Sequence, residues 1–362
     1  MNYSIHANAA TPAYIQLYQQ LRDDITNGFY PYAAKIPSKR TLAAETGVSV
    51  ITIKHTLELL CDEGYIEARQ RCGYFVIYKK EDFLGIPIPV TQHPIQQSAS
   101  KGAGEFPYTV LARTMRKVIL NYQDKLLTKS PNQGCMELRT EICAYLARSR
   151  SIHISPTQVL IGSGAEYLYS LIAQLFDRGT VFAIEDPSYD KIKKVYEAFN
   201  IPVNLLTLRQ DGIDSAELKS SNATILHTTP FNSFPSGITI DVSKKLEYLQ
   251  WAKSRNGFII EDNYDSELTI SKKQEDSLFE LSNGKNVIYI NTFSKTIAPS
   301  IRIGYMILPE NMVDIFKQKL GFYSCTVPVF DQYVLAELLH EGDFERHINR
   351  IRRKRRKALS TQ

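Results

Sequence analysis

The sequence predicts a two-part α/β protein: an N-terminal winged helix-turn-helix, then a larger domain built on a mostly parallel, mixed sheet with helices on both faces. Three observations lead there. Within residues 1–78, helical patterns separated by glycine turns give way to two short extended runs. Between residues 79 and 105 periodicity fades around Pro87, Pro89 and Pro94 and then QQSASKGAG, a linker stiff in its first part and flexible in its second. From residue 106 to 362 short β-rich runs alternate with helical ones. A chain of 362 residues with 43% hydrophobic and 22% charged side chains can bury two cores, and this balance excludes the disordered class.

The N-terminal elements follow from spacing. Tyr14, Leu17, Tyr18, Leu21 and Ile25 recur at helical intervals until Asn27-Gly28 stops the pattern. A short helix from about Thr41, led by Ser38, ends at Thr46-Gly47, and Ser49 is placed to cap a third helix with Ile53, Leu57 and Leu60 on one face. Helix, glycine turn and capped helix form the helix-turn-helix pattern. The runs YIEA and YFVIY, separated by RQRCG, then predict a β-hairpin wing with a basic tip. Ser49, Thr52 and His55 fall opposite the apolar stripe with Lys54 beside them, so hydroxyls and backbone N–H groups would face phosphates or base edges.

Charge and cysteine usage narrow the class. The net charge of +5 is concentrated between Arg346 and Lys357, where eight basic residues meet no acidic one; the rest of the chain holds 35 basic against 38 acidic residues. That tail, RHINRIRRKRRK, reads first as a solvated or dimer-contact helix and second as a nucleic-acid arm. The five cysteines show no C-x-x-C and no paired spacing, so no metal site and no disulfide framework is expected. With no basic-then-apolar leader and no apolar run of about 18 residues, the sequence predicts a cytoplasmic protein with no membrane partner.

In the second domain the runs QVLIG, TVFAIED, VNLLTL, ATILHTT, GFIIED, VIYINTF and RIGYMIL are the expected strands, and active groups belong at their ends. Four loops carry candidates: GSGAE (Gly162 to Glu166), EDPSYDK with Tyr189, EDNYDSE with Asp262 and Tyr264, and NTFSKTIAPSIRIGY with Ser294, Lys295 and Arg302. A lysine kept reactive by burial and nearby cations can form a Schiff base with an aldehyde. A carboxylate can keep a pyridine nitrogen protonated, and a glycine loop with an arginine can clamp a phosphate. Pyridoxal 5′-phosphate (PLP) has all three handles.

Family resemblance agrees with both readings. IPSKRTLAAETGVSVITIKHTLELLCDEGYIEARQRCGYFV resembles the winged-helix domain of the GntR superfamily of bacterial transcription regulators. The resemblance implies that Ser38, Arg40, Ser49, Thr52 and Lys54 meet double-stranded DNA, with Arg69, Arg71 and Gly73 in the wing. The family usually carries arginine after the serine that starts the recognition helix; Val50 stands there instead, able to touch a thymine methyl but not to fork onto guanine. From about Asn132, beginning NQGCMELRTEICAYLA, the chain is similar to the large domain of fold-type I aminotransferases. The two parts together look like the MocR/GabR subfamily of PLP-dependent regulators.

By that likeness Lys295 holds PLP, Asp262 pairs with the ring nitrogen, Tyr264 with the ring oxygen, and Tyr189 stacks on the ring. Ser163, Gly164, Ala165 and Arg302 take the phosphate, with Ser294 beside them. Three features depart from the pattern. FNSFPSG replaces Asn-Pro-x-Gly, so Phe234 occupies the amide's place and Asn232 or Ser233 is expected to substitute. Lys191, a point charge rather than a fork, stands where a ligand carboxylate is expected to bind. The chain stops at Gln362, so the small C-terminal domain with its carboxylate-binding arginine is expected to be missing. The resulting expectation is a homodimeric DNA-binding regulator that senses an amine or amino acid, the alternative being an aminotransferase with an accessory DNA-binding module.

Overall fold

The computed structural model describes residues 3–6, 11–79, 106–269 and 276–360. The linker expected over residues 79–105 lies, from residue 80 on, outside the described residues. The chain divides into two units, Met1–Ser98 and Ala99–Gln362.

In the first unit α1 (Ala13–Thr26) buries Leu17, Tyr18, Leu21 and Ile25, the inward stripe read from spacing. Helix α2 (Lys39–Thr46) starts where Ser38 Oγ accepts the Thr41 N–H at 3.2 Å and ends at Gly47, whose φ of 71° is the left-handed turn that glycine tolerates. Helix α3 (Val50–Asp62) is capped the same way by Ser49, which accepts the Thr52 N–H at 3.1 Å. Strands β1 (Ile66–Arg69) and β2 (Gly73–Val76) pair antiparallel, with Ile66 opposite Val76 and Arg69 opposite Gly73. Leu17, Leu21, Leu42, Ile53, Leu57 and Leu60 are fully buried and tie the three helices together, each worth roughly 1.5–3 kcal/mol of burial.

The second unit opens with α4 (Tyr108–Tyr122) and α5 (Met136–Arg150). Strand β3 (Val159–Gly162), α6 (Ala165–Leu175), β4 (Phe182–Asp186), α7 (Asp190–Ala198) and β5 (Val203–Arg209) follow. Then come β6 (Gly212–Ile213), α8 (Ser215–Ser220), β7 (Ile225–Thr228), α9 (Val242–Ser254), β8 (Phe258–Asp262) and α10 (Leu278–Leu281). Strands β9 (Val287–Thr292) and β10 (Gly304–Ile307) precede α11 (Glu310–Leu320), α12 (Val329–His340) and α13 (Asp343–Ser360). All seven runs read as strands are strands. The sheet order is β3-β10-β9-β8-β7-β4-β5-β6. Pairs among β9, β8, β7, β4 and β5 are parallel, whereas β10 runs antiparallel to both β9 and β3.

Alternation along each strand splits its side chains between two cores. Ile259, Val287 and Tyr289 face one layer, Ile260, Ile288 and Ile290 the other, with helices covering both. Strands buried on both faces read as continuous apolar runs, which is why they were visible in the sequence. The basic tail forms α13, whose Phe344, Ile348 and Ile351 are buried while most of its cations face solvent. Two of those cations instead hold the loop after β8: Arg352 Nε donates to the Glu267 carbonyl at 2.6 Å and Arg355 to that of Leu268 at 3.2 Å.

Candidate functional site

The candidate residues of the α/β unit gather at one sheet edge because parallel strands end there together. Gly164 follows β3, Tyr189 follows β4, Asn232 follows β7, Asp262 closes β8 and Lys295 follows β9. Arg302 reaches the same edge from the start of β10, since that strand runs the other way. The connection between β9 and β10 is closed at its neck: the Phe293 N–H donates to the Ile303 carbonyl at 2.9 Å and Ser294 Oγ to the Ile301 carbonyl at 2.8 Å. Ser294 thus spends its proton on the loop, leaving only acceptor capacity for a ligand.

Asp262 is 2% exposed and shares the face of Ile260, toward α6 and α7, whereas its neighbour Glu261 points the opposite way and accepts the Leu278 and Phe279 N–H groups. The Asp262 carboxylate accepts from the Tyr169 hydroxyl and from the Tyr264 N–H at 3.2 Å. His227 Nε2 lies 3.8 Å away, buried and, among the described residues, without a hydrogen-bond partner; its Nδ1 meets the Tyr196 hydroxyl at 2.7 Å. Burial, then the charge of Asp262, pushes the Tyr169 and Tyr196 phenols well above their usual range, so both remain O–H groups. A buried carboxylate fixed by neutral donors can keep a proton on a heterocyclic nitrogen.

Lys295 Nζ sits 4.4 Å from the centre of the Tyr264 ring and 3.2 Å from Asp265 Oδ1. The side chain is 40% exposed, so the expectation of an amine activated by burial and nearby cations is not met; its charged neighbour is a buried carboxylate. Tyr264 donates its hydroxyl to the Asn232 carbonyl at 2.8 Å, and burial raises the phenol above its usual range. Asn232, at φ 52°, donates its amide to Asp265, so Asn232, Tyr264, Asp265 and Lys295 form one chain of contacts. Tyr189 is half-buried, its ring edge-on to Phe234 at 6.4 Å.

The turn after β3 is the one expected to take a phosphate. Gly164 takes φ +94°, which favours glycine, and an added Cβ would stand 2.8 Å from Arg302 Nη2 and push the guanidinium off the loop. Ala165 opens α6, bringing the helix N-terminus to the same place. The Ser163 N–H donates to Thr326 Oγ1 at 3.2 Å, and the Thr326 hydroxyl donates to Ser163 Oγ at 2.9 Å. Glu166 binds Arg302 at 2.6 Å through one oxygen and Lys191 at 2.8 Å through the other. Burial works to raise the Glu166 carboxyl, but the hydrogen bonds from Lys191 and Arg302 outweigh it and hold the group at about 2. An apolar-walled cavity of about 780 Å³ opens beside Ser163, Arg302 and Thr326. A glycine-lined cradle, an arginine, a nearby amine and a buried carboxylate together fit a phosphorylated pyridine aldehyde. Tyr169, His227, Glu166, Asp265 and Thr326 were not anticipated. Glu166 and Asp265 lay inside quoted motifs, and the two-residue alternation of β8 would have pointed Asp262 toward α6.

In the first unit Ser38, Arg40, Ser49, Lys54 and His55 are exposed, as are Arg69 and Arg71 at the wing. Thr52 is half-buried, and its hydroxyl lies 2.9 Å from Ser49 Oγ. His55 packs edge-on against Tyr14 at 4.7 Å, and Lys54 pairs with Glu58 at 3.4 Å. Arg69 pairs with Glu67 at 2.7 Å and covers the Phe75 ring. Arg71 adopts φ 61° at the hairpin tip, and a Cβ on Gly73 would stand 3.1 Å from the Lys35 stem. Among the described residues no helix is long and apolar enough to cross a membrane.

Comparison with known proteins agrees with this division. Residues 101–361 match the family of class I and II aminotransferases, which depend on PLP in general, and residues 13–76 match the bacterial regulatory proteins of the gntR family. The HTH-type transcriptional regulator YdeL of Bacillus subtilis is 33% identical over 358 residues, covering 96% of this chain and 77% of that protein. The probable rhizopine catabolism regulatory protein MocR of Rhizobium meliloti is 26% identical over 371 residues, covering 96% of this chain and 75% of that one. An archaeal alanine:glyoxylate aminotransferase superposes with a TM-score of 0.62 at 25% identity, over 68% of this chain and 64% of its own. The chain therefore spans about three quarters of the regulators' length and less than two thirds of the enzyme's. Because this chain carries a gntR-family match ahead of a class I and II aminotransferase match and aligns over 96% of its length with HTH-type regulators that include MocR, it belongs to the MocR/GabR subfamily of GntR-type transcription regulators.

Proposed function

We propose that the protein is a DNA-binding transcription regulator whose aminotransferase-like domain binds PLP at Lys295 and senses a small amine or amino acid. The observation that carries this reading is the convergence of Lys295, Asp262, Tyr264, Gly164 and Arg302 at one sheet edge, in a chain that also carries a capped recognition helix and a basic wing. Bound PLP supplies an aldehyde for primary amines and a ring that draws electrons. The protein's own residues would do the rest. Arg302, the Ser163–Ala165 turn and the first N–H groups of α6 bind the phosphate; Asp262 keeps the ring nitrogen protonated; Tyr264 and Asn232 orient the ring oxygen; Tyr189 covers one ring face. Lys295 would hold the cofactor through its amine, and Lys191 would meet the carboxylate of an amino-acid ligand.

A sensor needs only a ligand-dependent shift between conformations, whereas an enzyme must release product repeatedly. The point charge of Lys191 and the altered FNSFPSG loop favour the sensor. A homodimer in the cytoplasm would set two winged helices on paired half-sites. The deciding experiment is the visible absorption of the purified protein with and without PLP, followed by borohydride and peptide mapping. Absorbance beyond the protein range, with cofactor fixed to the peptide containing Lys295, is expected, and Lys295→Ala should lose the attachment. For DNA, Arg40→Ala should weaken binding to all sequences and flatten the log–log salt dependence by about one unit. An unchanged slope would remove α2 from the interface. Sustained production of a keto acid or aldehyde at an ordinary enzymatic rate, of order ~1–10³ per second, would favour the aminotransferase alternative.

A further inference from the structure

The first turn of α3 carries two apolar side chains that neither packing nor local propensity explains. Ile51 is 81% exposed and Val50 is 47% exposed, while the inward face of the helix is already filled by Ile53, Thr56, Leu57 and Leu60. Four consecutive β-branched residues, Val50 to Ile53, are a poor choice for starting a helix. The surroundings say what kind of partner fits them. From Lys35 to Lys54 the chain has four cations (Lys35, Lys39, Arg40 and Lys54) against one acid, Glu45, so the apolar pair sits in a frame suited to a polyanion. Lys54 and His55 continue the same exposed stripe one turn on.

The polar groups of this turn are already engaged. Ser49 and Thr52 bond to each other, and Lys54 is paired with Glu58. Between Val48 and Leu57 there is no arginine, asparagine or glutamine to fork onto guanine or adenine, and the one lysine, Lys54, is a point charge one turn on beside Glu58. The C5-methyl of thymine is the one apolar mark on the major-groove edge of a base pair, and it is what a protruding Ile and Val can recognise.

We infer that Val50 and Ile51 read thymine methyl groups in the major groove, so that A·T pairs, rather than guanines, specify the centre of each operator half-site. This inference rests on the regulator reading given above. Its test removes the methyl and nothing else. The full chain is used to select a binding site from random duplex DNA, and each thymine of that site is then replaced singly by deoxyuridine, which keeps every hydrogen-bonding group. Wild type should lose about four-fold in affinity at one or two positions per half-site, the roughly 0.8 kcal/mol of one buried methyl-sized group expressed as a ratio. Ile51→Ser and Val50→Ser, both at exposed positions, should bind thymine and uracil duplexes alike at those positions with the salt slope of wild type. Val50→Arg should shift the selected base toward guanine. Indifference of wild type to every thymine-to-uracil replacement in a site it selects would overturn the inference while leaving the regulator reading intact, as would full methyl sensitivity in both serine variants. Failure to select any duplex would remove both together.

Discussion

At Gly164 one backbone angle decides whether the cradle exists. The φ of +94° strains any other residue, and a methyl would push the Arg302 guanidinium off its 2.8 Å approach, so Gly164→Ala should cost about 1–3 kcal/mol of local strain and weaken PLP binding about ten-fold. Absorbance titration with PLP measures this directly. Glu185 gives a different residue-scale prediction. Burial raises its carboxyl to about 7, against the lowering effect of bonds from Thr228, Ser233 and the Thr229 N–H. A folded pKa above the unfolded one means that the unfolded chain releases its proton first. Stability should therefore fall as pH rises from about 4.5 to about 7, by up to about 3 kcal/mol. Glu185→Gln, whose carbonyl oxygen still accepts from Thr228 and Thr229 and whose amide nitrogen would instead donate to Ser233 Oγ, should flatten that limb in thermal melts across the window. The partners of these groups explain what the sequence hid. Asp262, Tyr264, Lys295 and Arg302 announce themselves inside short motifs, but Tyr169 stands 93 residues from Asp262 and Thr326 stands 163 from Ser163. Only the sheet brings them together.

Elements were legible in proportion to how strictly one face or two had to be apolar. The inner strands were visible because both faces are buried, and the caps at Ser38 and Ser49 because a hydroxyl before an apolar period has few other uses. Strand β6, two residues long, offers no period to read. In α13 the many cations masked an inner stripe of Phe344, Ile348 and Ile351 and a role for two of the arginines, which bond carbonyls of the loop after β8. That grip predicts a measurable effect. Arg352→Ala should destabilise the α/β unit by about 1.5–3 kcal/mol, the range for a hydrogen bond from a charged group. It should also lower PLP affinity, because the freed loop includes Asp265 beside Lys295; added PLP should recover part of the lost melting temperature.

The whole molecule is two units with separate cores, one for each proposed task. Two units whose buried clusters share no side chain among the described residues should unfold in two steps in calorimetry, and PLP should raise the step of the larger unit alone. A single transition moved as a whole by PLP would show instead that the units are energetically coupled. Fold and order of parts were readable in the sequence because each unit repeats its own pattern; the pairing of Glu166 with Lys191 and Arg302 was not, because long side chains meet wherever folding leaves them. The reversal of β10 has one more consequence. Since that strand returns along β9 and is stitched to it at Phe293 and Ser294, the amine of Lys295 and the guanidinium of Arg302 hang from opposite arms of a single hairpin. If the two groups hold a ligand as proposed, the hairpin would work as a calliper: the pairing at its neck, rather than the length of the bend beyond, would set the span from reactive carbon to anion. A one-residue shift of that pairing would change the size of molecule the jaws accept, whereas the same change out in the bend would leave the jaws where they are.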